Sequence, residues 1–250
     1  MIRTGQTAAD DSPLEARRGI IAIVRVRRTF AFLDLSGFTA LTQAEGDERA
    51  VAVLGVFRAA LRDICSRRGV RIAKWLGDGA MLVSVETTPL VATTLEMQAA
   101  IDAAPEAIAI RCGITSGAVI LLEGDDYIGH AVNIAARLCD LAPAHEVLAV
   151  PAVLPEIPPW VTHEPTEQVA LHGLEQPIDV VRLGINRPTA QSAFDPICNI
   201  PLTKMTAVSR RNDGDGRELL FCSESCAEMW EQRRTQVDPD AGSIRELWMR

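Results

Sequence analysis

The sequence predicts an α+β protein: a ferredoxin-like βαββαβ domain with extra C-terminal strands, followed by a small cysteine-containing module. Two observations support this prediction. Segments with strand and helix periodicity follow one another in the order strand, helix, strand, strand, helix, strand, which is the ferredoxin-like order. After Leu183 the composition changes, and residues 195–234 contain three of the six cysteines.

The first elements follow from apolar periodicity and from turn residues. Residues 29–35, TFAFLDL, form an apolar run around a single acid, which predicts a buried strand. From Asp47 to Arg68 apolar side chains recur every three or four residues, which predicts a helix that stops at Gly69. VRIAKWL and AMLVSV flank a Gly-Asp-Gly turn, so residues 70–85 are predicted to form a β-hairpin.

Two helices and five strands are predicted in the remainder of the domain. One helix is expected from Pro89 to about Ala103, with the proline at its first position, where a missing N–H is tolerated. The segment IGHAVNIAARLCDLA, residues 128–142, predicts the other helix. Strands are predicted at AIAIRCGI (107–114), GAVILL (117–122), EVLAV (146–150), VALHG (169–173) and IDVVRL (178–183).

The composition divides the chain into five parts. The predicted division is an N-terminal segment, 1–27, expected to be mobile; a main domain, 28–184; a linker, 185–194; a cysteine-containing module, 195–234; and a C-terminal tail, 235–250. The linker is proposed because it contains few large apolar residues and one proline.

Charge and composition argue against several classes of partner. The net charge is −8 at pH 7, so neither nucleic acid nor an anionic membrane is expected as a partner. No stretch approaches the roughly 18 consecutive apolar residues that a spanning helix needs. The first residues carry acids and lack an apolar core of signal-peptide length, and the cysteines do not resemble a secreted disulfide framework. We therefore expect a cytoplasmic protein.

Two aspartates are candidate metal ligands. Asp78 stands in a Gly-Asp-Gly turn, where aspartate is common for conformational reasons alone. Asp34 lies in the apolar run FLDLSGF, where an unpaired charge costs several kcal/mol. Acids at the ends of neighbouring strands can share divalent cations, and their hard oxygen donors suit Mg²⁺ or Mn²⁺. Spacing alone leaves the turn and the metal interpretations open.

Four segments occur in the order FLDLSGFTALT, KWLGDGAMLVS, RCGITSGAV and DDYIGHAVNIAARL. Together they resemble the catalytic domain of the class III nucleotidyl cyclases, over residues 28–184. The resemblance implies that Asp34 and Asp78 hold two Mg²⁺ or Mn²⁺ ions against the triphosphate of a nucleotide. It implies an adenylate cyclase of intracellular signalling, which converts ATP to 3′,5′-cyclic AMP and pyrophosphate.

The same resemblance implies roles for four further residues. Lys74 would contact the purine together with Asp126, which is chosen over the neighbouring Asp125 only on the family's spacing to the helix asparagine. Asn133 would hold the ribose, and Arg137 would stabilise negative charge on the phosphoryl oxygens. These two residues stand four positions apart, so they leave one face of a helix. Without the resemblance, simpler interpretations remain open. Lys74 is then an ordinary lysine with an apolar stem and a solvated charge, Asp126 a loop residue, and the helix pair part of a solvated face.

The resemblance also implies an assembly and a choice of base. In that family two catalytic domains pair head to tail, and each contributes residues to a shared nucleotide site. Because this chain contains both sets of residues, a symmetric homodimer with two equivalent sites is expected. Lysine can donate to a ring nitrogen of adenine and aspartate can accept from its amino group, so ATP is expected over GTP. The alternative is a catalytically silent module that binds a regulatory partner.

The C-terminal segments DPICNIPL and FCSESCAEMW resemble the YHS module, a short cysteine-bearing unit linked to metal handling. Cys198, Cys222 and Cys226 are therefore candidate ligands for zinc or another soft metal. A closed zinc site needs four ligands, and all four histidines precede this segment. The alternative, three small cysteines packed in a reduced core, stays open. A metal- or redox-sensing tail is a hypothesis that rests on adjacency alone.

Overall fold

The computed structural model describes residues 24–104, 108–122, 126–166, 168–172 and 175–235. The main sheet has eight strands. Seven of them follow one another across the sheet in the order β2 (Arg71–Leu76), β3 (Gly79–Ser84), β1 (Val24–Ser36), β4 (Ala109–Leu121), β6 (Val147–Ala149), β8 (Val181–Ile185) and β7 (Val161–Pro165), and β5 (Tyr127–Ile128) pairs with β4. Most of the predicted N-terminal segment (residues 1–23) and almost all of the predicted C-terminal tail (residues 236–250) lie outside the described residues. The α+β prediction is confirmed.

The first strand is longer than predicted. β1 spans Val24–Ser36 and pairs with β4 from its first residue, so this strand begins four residues before residue 28, where the main domain was expected to start. The short helix α1, Phe38–Glu45, was not predicted. Helix α2 spans Asp47–Arg68 as expected and ends at Gly69, whose φ of 65° supplies the left-handed cap.

The predicted hairpin is confirmed as β2, Arg71–Leu76, and β3, Gly79–Ser84. Its turn packs against the end of β1. A Cβ added to Gly79 would lie 2.6 Å from the backbone oxygen of Leu33 and 3.1 Å from Oδ1 of Asp34. Glycine at this position therefore lets the turn approach Asp34 closely.

Two predictions around the third helix and the fourth strand are wrong in detail. Helix α3 spans Thr87–Asp102, so Pro89 is its third residue and not its first. Thr87 is anchored from outside the helix, because its hydroxyl contacts that of Thr29 at 3.0 Å. The two strands expected at 107–114 and 117–122 are one continuous strand, β4, Ala109–Leu121.

Two glycines of β4 lie where the sequence predicted the end of one strand and the start of the next. After β5, Tyr127–Ile128, helix α4 spans His130–Leu141 and packs directly on β4. A Cβ on Gly113 would lie 2.3 Å from the Ala135 oxygen, and one on Gly117 would lie 3.0 Å from the Ala131 Cβ. These glycines admit a helix against the strand, as is common where a backbone approaches closely.

The C-terminal edge of the sheet differs most from prediction. Strand β6 is Val147–Ala149, a 3₁₀ helix covers Pro151–Glu156, and β8 is Val181–Ile185. Edge strand β7, Val161–Pro165, was not predicted. The strand expected at 169–173 is reduced in the described part to a single bridge between Val169 and Ile178.

The cysteine-containing segment consists of two small hairpins and a helix. β9, Ala193–Phe194, pairs with β10, Pro201–Leu202, while β11, Ser209–Asn212, pairs with β12, Glu218–Phe221. Helix α5 covers Glu224–Thr235. Because β8 reaches residue 185 and β9 begins at 193, the connection between them is shorter than the predicted linker.

The sheet has a different set of helices on each face. Leu33 on β1 belongs to a core cluster with α2 and α3, whereas Phe30 packs with Ala131 and Ala135 of α4, as the two-residue period of a strand requires. The first cluster also contains Phe221 and Cys226, so the C-terminal segment shares a core with the main domain. Among the described helices none is both long and apolar enough to cross a bilayer.

Candidate functional site

Asp34 and Asp78 line one open cleft of about 450 Å³. Asp34 comes from the end of β1, and Asp78 from the turn that follows β2. The other lining residues are the segment from β1 into α1 and one arginine: Leu35, Ser36, Gly37, Phe38, Thr39, Ala40 and Arg111. The structure therefore brings together the two carboxylates that the sequence analysis selected.

Arg111 is a site residue that the sequence analysis quoted without assigning a role. It lies directly opposite Asp34 in the β1–β4 register. Its Nε and Nη2 atoms donate to Oδ2 of Asp34 at 2.9 and 2.6 Å, while Nη1 donates to the backbone oxygen of Asp140 at 3.0 Å. The signal in the sequence was a lone charge inside the apolar strand run AIAIRCGI. This ion pair relieves the cost of placing Asp34 in the strand.

The electrostatics of the cleft fit a divalent cation. The pKa of Asp78 is raised, chiefly by burial and further by the nearby charge of Asp34. A carboxyl whose ionisation is disfavoured by a neighbouring carboxylate belongs to a donor set that a hard cation stabilises. The residues present therefore fit Mg²⁺ or Mn²⁺, which Asp34 and Asp78 would hold.

The start of helix α1 forms one wall of the same cleft. Gly37 precedes the helix with a φ of 89°, and Phe38, Thr39 and Ala40 are its first three residues. The amide hydrogens at the start of a helix have no partner within it, and the helix dipole favours negative charge there. The wall is suited to phosphate oxygens.

Lys74 and Asp126, which were expected to contact the base together, form an exposed ion pair. Nζ of Lys74 lies 2.8 Å from Oδ1 of Asp126, which also accepts a hydrogen bond from the amide of Tyr127. The hydrogen bond from Lys74 lowers the pKa of Asp126. The neighbouring acid, Asp125, lies outside the described residues.

Asn133 and Arg137 share the outer side of α4. The helix buries Ala131, Ala135 and Leu138, while Asn133 is exposed and Arg137 is partly exposed. Neither side chain lines the cleft of Asp34 and Asp78. Within the part of the chain that the structure describes, neither has a side-chain hydrogen bond or an ion pair.

The three candidate cysteines of the C-terminal segment meet in one buried cluster that also contains Asp195. One ligand atom from each of these four residues lies within 4.8 Å of the others. Asp195 was not selected from the sequence; the available signal was an acid three positions before Cys198 in DPIC. Burial raises the pKa of Asp195 to about 6, whereas hydrogen bonds with Cys198 and Cys222 lower the pKa of Cys226.

Comparison with known sequences supports a relation to adenylate cyclases. An uncharacterized protein of Mycobacterium tuberculosis, Rv2212, is 35% identical over 167 residues, covering 66% of this chain and 43% of the relative. A pH-sensitive adenylate cyclase of the same species is 30% identical over 152 residues, covering 61% of this chain and 36% of the relative. The chain thus spans less than half of the length of these relatives. No family model matches the chain.

Solved structures show the same fold. The adenylyl cyclase CyaB from P. aeruginosa is 23% identical with a TM-score of 0.60, covering 66% of this chain and 96% of CyaB. The guanylyl cyclase Cya2 is 20% identical with a TM-score of 0.59, covering 67% of this chain and 97% of Cya2. At these identities the likeness establishes the fold, that of a cyclase catalytic domain, which adenylyl and guanylyl cyclases share.

Proposed function

We propose that this chain is an adenylate cyclase that converts ATP to 3′,5′-cyclic AMP and pyrophosphate at the interface of a homodimer. The observation that carries the proposal is the single cleft in which Asp34, Asp78 and the start of α1 come together. A fold shared with cyclase domains and a relative described as an adenylate cyclase support it. The six free cysteines agree with a reducing cytoplasm.

Asp34 and Asp78 would hold two divalent cations. When bound, such ions lower the pKa of an attacking hydroxyl and screen the charge of a leaving pyrophosphate. In the reaction, the ribose 3′-oxygen forms a bond to the α-phosphorus, and the bond from that phosphorus to the bridging oxygen breaks. The hydroxyl proton passes to solvent, so the chain needs no side chain as a base.

The cleft also contains groups for the triphosphate. The start of α1, where amides have no partner within the helix, and Arg111 line the wall beside the two aspartates. Arg111 would give up its ion pair to Asp34 if that carboxylate held a cation, and its N–H donors would then be available. Those donors then suit phosphate oxygens, since a guanidinium fork matches them geometrically.

The Lys74–Asp126 pair would select adenine. Its ammonium can donate to a ring nitrogen, and its carboxylate can accept from the exocyclic amino group. The two groups already lie 2.8 Å apart, so little side-chain ordering is needed when the base binds. Guanine offers the reverse pattern, and each mismatched polar group costs about 1–3 kcal/mol.

The position of two polar side chains on α4 supports the homodimer. Asn133 and Arg137 project from a helix on the sheet face opposite α2 and α3, and they line no part of the cleft of their own chain. In a two-fold dimer, these residues of one protomer would orient the ribose and stabilise phosphoryl charge in its partner's cleft.

The decisive experiment assays cyclic nucleotide formation from ATP or GTP with Mn²⁺. Cyclic AMP is expected from the wild-type chain, and none from Asp34→Asn or Arg137→Ala. Mixing the two inactive variants should restore activity, because about half of all dimers then pair one variant with the other, and each of these mixed dimers contains one intact shared site. Equal production of cyclic GMP would refute the base assignment, and failure of the mixture would refute the shared site.

A second candidate is a catalytically silent module that binds a partner. One observation favours it, namely that both nearby donors of Arg111 already occupy an oxygen of Asp34. A silent module would form no cyclic nucleotide with any metal, yet would still bind ATP. Calorimetric ATP binding without turnover would therefore support this candidate against the cyclase.

A further inference from the structure

The buried cluster of Asp195, Cys198, Cys222 and Cys226 has the dimensions of a metal site. Sγ of Cys222 lies 3.4 Å from that of Cys198 and 3.6 Å from that of Cys226. A zinc ion with Zn–S bonds of about 2.3 Å places tetrahedral sulfur ligands about 3.8 Å apart. A disulfide would require about 2.05 Å, and all three cysteines are free.

Asp195 supplies the fourth donor that the three thiols lack. Its Oδ1 accepts hydrogen bonds from the amides of Ile197 and Cys198, and its Oδ2 accepts one from the amide of Cys222. A carboxylate oxygen has two lone pairs, so Oδ2 retains one. The residue is only 2% exposed, and its position is fixed by the same loop that carries Cys198.

A buried cation of the main domain faces the cluster. Nη2 of Arg68, at the end of α2, lies 3.3 Å from Sγ of Cys222. The Nε of the same guanidinium donates to Glu96, which is shared with Arg67. A permanent positive charge that donates to a ligand sulfur stabilises an anionic metal–thiolate centre.

We propose that Asp195, Cys198, Cys222 and Cys226 bind one zinc ion, and that Arg68 joins this centre to α2 of the catalytic domain. Three thiolates and one carboxylate form a closed tetrahedral set for zinc, with no position left for a substrate. The centre is therefore structural. The main domain contacts the C-terminal segment at a second point as well, because Nε1 of the buried Trp160 donates to the backbone oxygen of Cys222 at 2.9 Å.

The test uses the full chain, reconstituted with zinc under reducing conditions and freed of excess metal. We expect one zinc ion per chain. Replacement by Co²⁺ should give the thiolate-to-cobalt charge-transfer bands and the intense visible bands of a tetrahedral site. These measurements are made on the wild-type chain and need no activity, so they are independent of whether the cyclase proposal holds.

Variants then test the ligand set. Cys226→Ala should lose the bound zinc, whereas Cys65→Ala removes a buried thiol outside the cluster and should keep it. Asp195→Asn should weaken zinc binding at least about 10-fold and shift the visible cobalt bands. Arg68→Met should weaken zinc binding while leaving those bands in place. Circular dichroism verifies that each variant is folded.

Three results would overturn the proposal. A reconstituted wild-type chain without stoichiometric zinc would exclude the site, even if no variant folds. Cobalt bands typical of an octahedral oxygen-rich site would exclude the thiolate ligands. Unchanged zinc affinity and cobalt bands in folded Asp195→Asn would exclude Asp195 as the fourth ligand.

Discussion

Arg111 and Asp34 face each other across neighbouring strands, and the guanidinium holds Oδ2 of the carboxylate through two hydrogen bonds. A residue proposed to bind metal is thus paired with a cation before any metal arrives. The pair holds the carboxylate in place at the end of β1, and it sets a guanidinium in the cleft where phosphates are proposed to lie.

Arg111→Ala separates these two effects. We expect kcat/KM for ATP to fall by about 10²-fold, because one charge-stabilising contact to the phosphates is lost. Binding of Mn²⁺ should be retained or strengthened, since Asp34 loses its competing partner; electron paramagnetic resonance measures this directly. Arg111→Lys keeps the positive charge but loses the planar guanidinium, so its kcat/KM should lie between those of the wild type and Arg111→Ala. Loss of Mn²⁺ binding together with activity would indicate that Arg111 serves only to position Asp34.

The Lys74–Asp126 pair should control the choice of base. Asp126→Ala is expected to lower kcat/KM for ATP about 10- to 100-fold, because the amino group of adenine loses its acceptor. The ratio of kcat/KM for ATP to that for GTP should fall for the same reason. Lys204→Ala, which disrupts an exposed ion pair to Glu218 away from the cleft, is the matched control. A preference for ATP equal to that of the wild type in Asp126→Ala would contradict the assignment.

The packing of α4 on β4 should tolerate no side chain at Gly113. Gly113→Ala places a Cβ 2.3 Å from the backbone oxygen of Ala135 and 2.3 Å from the amide nitrogen of Cys139. We expect it to reduce the free energy of unfolding by about 1–3 kcal/mol, as overpacked core substitutions do. Gly55→Ala in α2 meets no atom within 4 Å and should raise it by about 0.5–1 kcal/mol. Urea denaturation of both variants measures the contrast.

Glu96 should be indispensable to stability. It accepts from Arg67 at 2.5 Å and from Arg68 at 2.7 Å, and all three side chains are at most 8% exposed. Glu96→Gln leaves two buried guanidinium groups poorly compensated, which should cost about 3–5 kcal/mol.

The matched control is another acid on the same arginine. Asp63 pairs with Arg67 at 2.9 Å, but its side chain is 46% exposed. Asp63→Asn should therefore change the free energy of unfolding by less than about 1 kcal/mol. Similar effects of the two substitutions would show that burial does not set the cost of the network.

Elements with strong local patterns were predictable from the sequence. Helix α2 has regular apolar spacing and a glycine stop, and its bounds matched the prediction. The prediction of a break in β4 was wrong. Gly113 and Gly117 leave room for helix α4 to pack on the strand, and this contact is visible only in the tertiary structure. Edge strand β7 was missed because four of its five residues are exposed and give no apolar alternation.

The same distinction holds for the site. Asp34 and Asp78 could be selected from the sequence, because they stand in motifs that resemble a known family. In the structure both of them line one cleft. The roles of Arg111 and Asp195 depend on partners far away in sequence: Asp34 for one, Cys222 for the other. A lone charge in an apolar run indicates that a partner exists, but pairing across a sheet or between loops determines which residue it is.

The attachment of the cysteine-bearing segment affects how shortened chains should be interpreted. A chain cut after Ile185 would uncover the indole of Trp160 and deprive Arg68 of its sulfur neighbour. Such a protein would be a damaged form of the main domain, not an unregulated one. Low output from it would report faulty folding, so any signalling role of the segment is better sought with single substitutions in otherwise intact chains.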